Sequence, residues 1–524
     1  MRFIFKTIYA TLLVFFVAFL ASHAVLAAEQ KAAAPASKKS SAGSASKNGS
    51  SDVLSPMETA PPEDLKTKDD LAQKALKQAA ASNTNGREIS EDELVTVPEE
   101  GEQLDMAQTV QKSLAVNPRI ASAQAQLEGA EAGRNAAMAN FFPTLNASYT
   151  ATRFDHKKPY VDAPLSQLMD NKNFSGSLTV TQPVFTGLRL LNSYLKSKLS
   201  KEKSEADKDY AELTLVLLVQ QNFLTLLKAR ELVRSSKDSV TRLRSQLKVT
   251  QAFYDVGLKP RFDVLQAEVD LSKAEVQLVQ YKNQVEIQKA RLNTLLVAPL
   301  DQKINYVGEL TYLPFKISLE DCIQNAFAFR PDLKAVHKAV EMAEKDVGIA
   351  KSSFYPQVNA NYSTSRSGNS PLIDGSPSYE FGNPGRTEFA QWSVGLGASW
   401  KVFDFGSTYY TMRQAQAGVR QYLAEEEKAR EEVMYEVKTR SLNINEAAKR
   451  IRVSKKAVEQ AKEGYRMAVA RYQAQVGTNT DVLDAQAKLT DAESSLTSAL
   501  GDYQIAVAQM YASMGQKNYS LLAN

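Results

Sequence analysis

Residues 353–363 read "SFYPQVNANYS" and residues 140–150 read "NFFPTLNASYT". In each case some twenty residues with helical spacing meet a proline and then alternate strictly. Proline removes a backbone donor and pushes the residue before it toward extended geometry, so it ends a helix. The recurrence decides the fold, because it marks a chain built twice. Aligned without gaps, 117–150 and 330–363 share 10 identities in 34 positions, including Pro118/Pro331 and Pro143/Pro356, at an offset of 213. Further on, Tyr254, Asp263, Val264, Leu265, Ala267, Leu271 and Glu275 recur as Tyr472, Asp481, Val482, Leu483, Ala485, Leu489 and Glu493, at an offset of 218. The five extra residues must fall between Pro356 and Val402, which predicts a tolerant exposed loop there. An internal repeat this long is a duplicated structural unit.

Each unit reads as a helix (118–140, 331–352), two alternating strands, a very long helix (188–253, 406–472), a short break and a last helix (263–297, 481–514). The long helix would extend about 100 Å at ~1.5 Å per residue. Leu199, Tyr210, Leu213, Leu217, Leu224, Leu227, Val240, Leu243 and Leu247 recur along it at coiled-coil-like intervals. The shorter helices 118–140 and 263–297 are expected to stack end to end beside it. The organisation expected is a signal peptide at 1–28, an extension at 29–100, a first repeat at 101–316 and a second at 317–524.

The strands carry the functional signal. Leu145, Ala147, Tyr149 and Ala151 share one face, and Asn146, Ser148, Thr150 and Thr152 the other. The fourth strand sets Trp392, Val394, Leu396, Ala398 and Trp400 against Gln391, Ser393 and Ser399. Polar faces of Ser, Thr, Asn and Gln, in segments of about ten residues, are the pattern of an outer-membrane barrel. An antiparallel sheet packed on helices also alternates. The two tryptophans favour the barrel: eight residues apart on one face, they span the distance between two membrane interfaces. The linking segments 154–172 and 366–388 hold the Gly, Pro, Asp and Asn of long external loops. Four strands cannot close a barrel, since the smallest have about eight. Open edges are forbidden in lipid. Several chains must share one barrel, and three would give twelve strands.

The start of the chain agrees with export. Arg2 and Lys6 precede an apolar run from Ile8 to Leu20, and small residues follow, with Val25 and Ala27 fitting a cleavage site. This is a bacterial-type signal peptide, too short in its apolar run for an anchor. Residues 29–100 are rich in Ala, Ser and Lys, then mainly acidic from Asp52, and cannot bury a core. A weak helix is expected only around Leu65–Ala80. The net charge of +4 over 524 residues asks for no nucleic-acid partner, and the single cysteine, Cys322, excludes an intrachain disulfide. His156 and His337 are read as ordinary polar residues and Cys322 as a small buried one. No phosphate loop, paired-His zinc motif or serine elbow is present, so neither enzyme activity, cofactor nor metal is expected.

With the "NP…FFPTLNASYT" and "RP…FYPQVNANYS" units, "TQPVF", "WKVFDFG", "YDVGLKPRFDVLQAE" and "YQAQVGTNTDVLDAQAKL" in duplicated order, residues 103 to 515 resemble the TolC family of outer-membrane efflux proteins. The resemblance implies an α+β membrane protein: a homotrimer with a twelve-stranded β-barrel, four strands per chain, continued by a periplasmic α-helical coiled-coil barrel. It implies an exit duct for tripartite efflux or type I secretion, embedded in outer-membrane lipid, that docks with a periplasmic adaptor and an inner-membrane pump. The family's tip carries a valine–glycine pair that meets the adaptor, here Val256-Gly257-Leu258 and Val476-Gly477-Thr478, the second displaced by two residues. The family's aperture aspartates match Asp481 and Asp484, three apart on one helix face. Tyr472 matches the tyrosine that helps to hold the aperture shut, and Asp263 an acidic position in the partner helix pair. The family's arginine position holds Gly477. The alternative is a trimeric adhesin with a coiled-coil stalk. Strands that occur twice, each time between helices, favour the duct.

Overall fold

The computed structural model describes residues 102–153, 172–368 and 388–519. The expected signal peptide, the extension with the weak helix expected in it, the bulk of both strand-linking segments and His156 lie outside the described residues. In chain order the elements are β1 (Glu102–Leu104), α1 (Met106–Val116), α2 (Pro118–Ala139), β2 (Thr144–Arg153), β3 (Lys172–Phe185), α3 (Arg189–Asp255), α4 (Arg261–Leu295), β4 (Ile304–Tyr306), α5 (Leu319–Phe329), α6 (Pro331–Lys351), β5 (Gln357–Gly368), β6 (Glu388–Ser399), α7 (Ser407–Gln473) and α8 (Asn479–Ser513). Helices α3 and α7 have 67 residues each, and α4 and α8 have 35 each.

The prolines work at both ends of the short helices. Pro118 and Pro331 open α2 and α6, where a missing N–H costs nothing. Pro143 and Pro356 stand just ahead of β2 and β5. The four long strands form one antiparallel sheet in the order β2-β3-β5-β6. Thr144 lies opposite Thr181 in the first hairpin, and Gln357 opposite Ser399 in the second. Those pairs correspond under the offsets of 213 and 218. The five extra residues therefore sit beyond Arg366 and before Ala390, in the second hairpin's loop. On one face Leu145, Tyr149, Tyr362, Trp392, Val394 and Leu396 are all exposed, so no helix covers this sheet.

Below the sheet, α3 is the spine. Helix α2 lies along its first part, with Lys201 3.5 Å from Glu131, and α4 along its last, with Arg244 2.9 Å from Glu275. Helix α6 is sandwiched between α3 and α7: Lys196 meets Asp346 at 2.7 Å, and His337 meets Glu426 at 3.3 Å. It buries Ala335, Val340 and Ala343, whereas α2, with a neighbour on one side only, buries nothing. Of the expected coiled-coil positions Leu213, Leu224, Leu227, Val240 and Leu243 are buried, but Tyr210 is exposed.

Two core clusters fasten the middle of the bundle. One gathers Leu104, Phe223, Leu226, Leu292 and Tyr306 around the short parallel pair β1–β4. The other gathers Cys322, Ala326, Val437, Tyr503 and Met510. Burying each Val, Leu, Phe or Met side chain among these contributes about 1.5–3 kcal/mol. Strands β1 and β4 were not foreseen from sequence, because three-residue strands carry no period, and the 11-residue α1 was missed with them.

Candidate functional site: the helical tips

The two helical hairpins end in turns built to one plan. After α3, Val256 caps the helix and Gly257 turns left-handed at φ 76°. The Gly257 amide donates to the Tyr254 carbonyl and the Leu258 amide to Phe253, both at 2.8 Å. That reciprocal pair is a Schellman motif. After α7 the same bonds run from Gln475 to Tyr472 and from Val476 to Arg471, both at 3.0 Å. The left-handed residue there is Gln475, at φ 62°.

Gln475, two residues before Gly477, occupies the place equivalent to Gly257, in line with the displacement of the letters. Gly477 serves close packing instead. A Cβ on it would lie 3.2 Å from both the Arg471 side chain and the Tyr472 amide. Val256 and Val476 are 67% and 68% exposed, and Leu258 and Phe262 extend that apolar tip.

Beneath the turns lies a buried polar cluster. Tyr472 is fully buried, its ring 5.5 Å from Phe253 and its hydroxyl donating to Thr250 Oγ1 at 3.2 Å. Burial pushes the Tyr472 phenol above its usual range. Asn479 Oδ1 accepts from Gln246 Nε2 at 3.0 Å and Thr250 Oγ1 at 3.3 Å, while its Nδ2 donates to the Asp263 carbonyl at 3.0 Å. One asparagine thus ties the start of α8 to both α3 and α4. Asp263 enters through its backbone carbonyl, and the Tyr472 hydroxyl reaches Thr250 on α3. Gln246, Thr250 and Asn479 escaped sequence reading. The one available signal was their polarity at positions where the helical period calls for apolar side chains.

Asp481 closes a capping box: its carboxylate accepts from the Thr478 amide at 3.0 Å, and Thr478 Oγ1 accepts from the Asp481 amide at 3.1 Å. The Thr478 amide, then its hydroxyl and nearby Arg471, hold the Asp481 carboxyl below the usual range. Asp484 is exposed, one turn further along α8. At the opposite end, Trp392 is 70% exposed on β6. Trp400 lies one residue beyond that strand, donating from Nε1 to the Phe354 carbonyl at 3.1 Å. Exposed Phe141, Phe142, Phe354, Tyr355 and Phe403 stand at the same strand–helix junctions.

A family model described as "Outer membrane efflux protein" matches residues 109–297 and 322–516. The chain belongs to that family. The outer membrane protein TolC of Vibrio cholerae is 23% identical over 417 residues, 76% of this chain and 88% of that one. The pyoverdine export outer membrane protein OpmQ of Pseudomonas aeruginosa is 23% identical over 380 residues, 72% and 77% of the two chains. The solved structure of the outer-membrane channel OprN has the same fold, with a TM-score of 0.67 at 20% identity over 79% of this chain and 90% of that one. Members of this family are outer-membrane channels of efflux and secretion systems. The protein is an exit duct of the Gram-negative outer membrane, with its helices in the periplasm, and the adhesin alternative falls away.

Proposed function

We propose that three copies of the chain close a twelve-stranded barrel and a continuous helical tunnel, and that the tips dock on a periplasmic adaptor linked to an inner-membrane pump. The carrying observation is the sheet: four strands, two bare edges and a lipid-compatible exposed face. Lipid offers no partner to an open edge, so the edges must meet those of further copies. Trp392 and Trp400 anchor the barrel at the two interfaces. Val256, Gly257 and Leu258, with Val476, Gly477 and Thr478, form the adaptor contact. The exposed stripe Leu265, Val269 and Val276 on α4 faces a neighbouring copy, as spacings of four and seven do in a coiled coil.

At the tunnel's inner entrance, Asp481 and Asp484 from three chains converge as a ring of six carboxylates, which attracts cations and narrows the pore. Tyr472 and Asp263 support that ring from behind, through Thr250 and Asn479. The cargo is chosen by the pump. In planar bilayers the protein should conduct, and replacing Asp481 and Asp484 together by alanine should reduce cation selectivity several-fold and relieve block by multivalent cations. Unchanged selectivity and block would place the constriction elsewhere.

A further inference from the structure

The chain contains its own template for the seam between copies. Inside the chain, β3 of the first repeat meets β5 of the second, and that pairing is seen residue by residue. The outer edges are β6 of the second repeat and β2 of the first. The two hairpins share one register, so β3 maps onto β6 at an offset of 218 and β2 onto β5 at 213. Resting on the closed-barrel reading above, we infer that β6 pairs with β2 of a second copy in the register of the β3–β5 seam.

The mapping fixes each pair. Thr181 opposite Asn361 becomes Ser399 opposite Ser148 of the partner subunit. Val180 opposite Tyr362 becomes Ala398 opposite Tyr149 of the partner subunit. Leu178 opposite Thr364 becomes Leu396 opposite Ala151 of the partner subunit. Past the irregularity at Pro183–Phe185, Phe185 opposite Val358 becomes Phe403 opposite Leu145 of the partner subunit.

Three observations agree with this register. The faces match: Ser399 meets a serine whose hydroxyl already bonds that of Ser177 at 2.8 Å, and Ala398 and Leu396 meet apolar side chains. A slip of one residue would set Ser399 against Tyr149 of the partner subunit and mix the two faces. Next, β2 and β6 are exposed along nearly their whole described length, while β3 and β5 are largely half-buried by their two neighbours. Finally, the helices below show the same incompleteness. Helix α6 is sandwiched and buries four residues, whereas its counterpart α2 lies along α3 and buries none.

The correspondence ends at Phe405. Its counterpart is Gly187, where a Cβ would stand 2.5 Å from the Ser352 carbonyl oxygen. A phenylalanine cannot occupy that space, so the two copies part at Phe405, just below the last paired residue.

A slip of two residues would keep the faces matched, so experiment must separate it. Directly opposite Cα atoms in an antiparallel pair lie about 4.5–5.5 Å apart, inside the range a disulfide spans. A two-residue slide adds about 6.8 Å along the strand and puts them beyond it. In native membranes the full chain carrying Ser148→Cys with Ser399→Cys, or Ala151→Cys with Leu396→Cys, should oxidise to covalent multimers up to trimer. The offset pairs Asn146→Cys with Ser399→Cys, and Thr150→Cys with Ser399→Cys, should link at a tenth of that level or less. Native mass in detergent is measured on each variant. Trimeric mass with the offset pairs linking best, or with no pair linking, overturns the register and leaves the trimer standing. Monomeric mass overturns both. Two in-register pairs on opposite faces guard against one variant failing to assemble.

Discussion

The two halves of the chain make the same four left-handed residues and disagree on which should be glycine. Gly187 and Phe405, Leu188 and Gly406, Gly257 and Gln475, Val297 and Gly515 are each 218 apart, and all eight have positive φ. In every pair one residue is glycine and the other is not. A side chain in this conformation costs roughly 1–2 kcal/mol. The duplicated backbone path therefore sets where the chain turns left-handed, while the immediate surroundings decide how strictly glycine is needed. The middle of the bundle repeats the lesson. Asn117 Nδ2 donates to the Leu295 carbonyl at 3.0 Å, and Arg330 Nη1, in the matching place, to Ser513 at 3.2 Å. Arg330 also pairs with Asp332 and Glu436, both at 2.7 Å. One tie is neutral, the other ionic and three-way.

The strongest way to break the comparison is to put alanine at both members of the first pair. The conformational cost is already carried at Phe405 but new at Gly187. Only at Gly187 does the added Cβ meet backbone, the Ser352 oxygen at 2.5 Å. Gly187→Ala should therefore lose about 2–5 kcal/mol from strain plus overpacking. Phe405→Ala should lose about 1 kcal/mol, the value of its edge-on contact with the Phe403 ring at 4.8 Å. Denaturant midpoints of the detergent-solubilised protein measure both, and equal losses would mean that the surroundings do not decide.

The tips offer a smaller and opposite-signed test. Nothing lies within 4 Å of a Cβ built on Gly257, so its glycine answers to φ alone. Gln475 bears the strain that Gly257 avoids. Gln475→Gly should stabilise the second tip by about 1 kcal/mol and Gly257→Ala destabilise the first by a similar amount. Hydrogen-exchange protection of the two turns, read in the same sample, checks it. A destabilising Gln475→Gly would show that the glutamine side chain makes a contact worth more than its strain.

These cases mark what sequence could convey. The helix–proline–strand succession and both long helices follow from periodicity, proline chemistry and a constant offset. They are regularities over many residues, so chance rarely imitates them. At the second tip the letters Val-Gly stand two residues late, and they could not show the turn itself, because the Schellman motif is defined by φ and two hydrogen bonds that Gln475 also satisfies. Tyr472 was singled out because the resemblance matched it to the family's aperture tyrosine. Asn479 was not, because its counterpart in the first repeat is Arg261, which opens α4 and makes no such tie. A side chain recruited to bridge three helices in only one repeat leaves no trace in the pattern they share.

The finest test uses pH, because the two tips also differ in their caps. Helix α8 starts in the Thr478–Asp481 box, while α4 starts at Pro260, whose side chain makes no cap bond. The Asp481 carboxyl is held below its ordinary value, so folded protein binds its proton less readily than unfolded chain does. That contribution is fully present above the ordinary aspartate value of about 3.9. It is lost as pH falls through the lowered value in the fold. Protonation removes the acceptor that the Thr478 amide uses at 3.0 Å. After correction for intrinsic exchange rates, protection of the Thr478 and Asp481 amides should fall below about pH 4, with no matching step at 261–264. In Asp481→Asn the step should vanish, since an amide oxygen still accepts but no longer titrates. A step that survives this substitution would assign the acid response to another carboxylate, with exposed Asp484, one turn along α8, the next to replace.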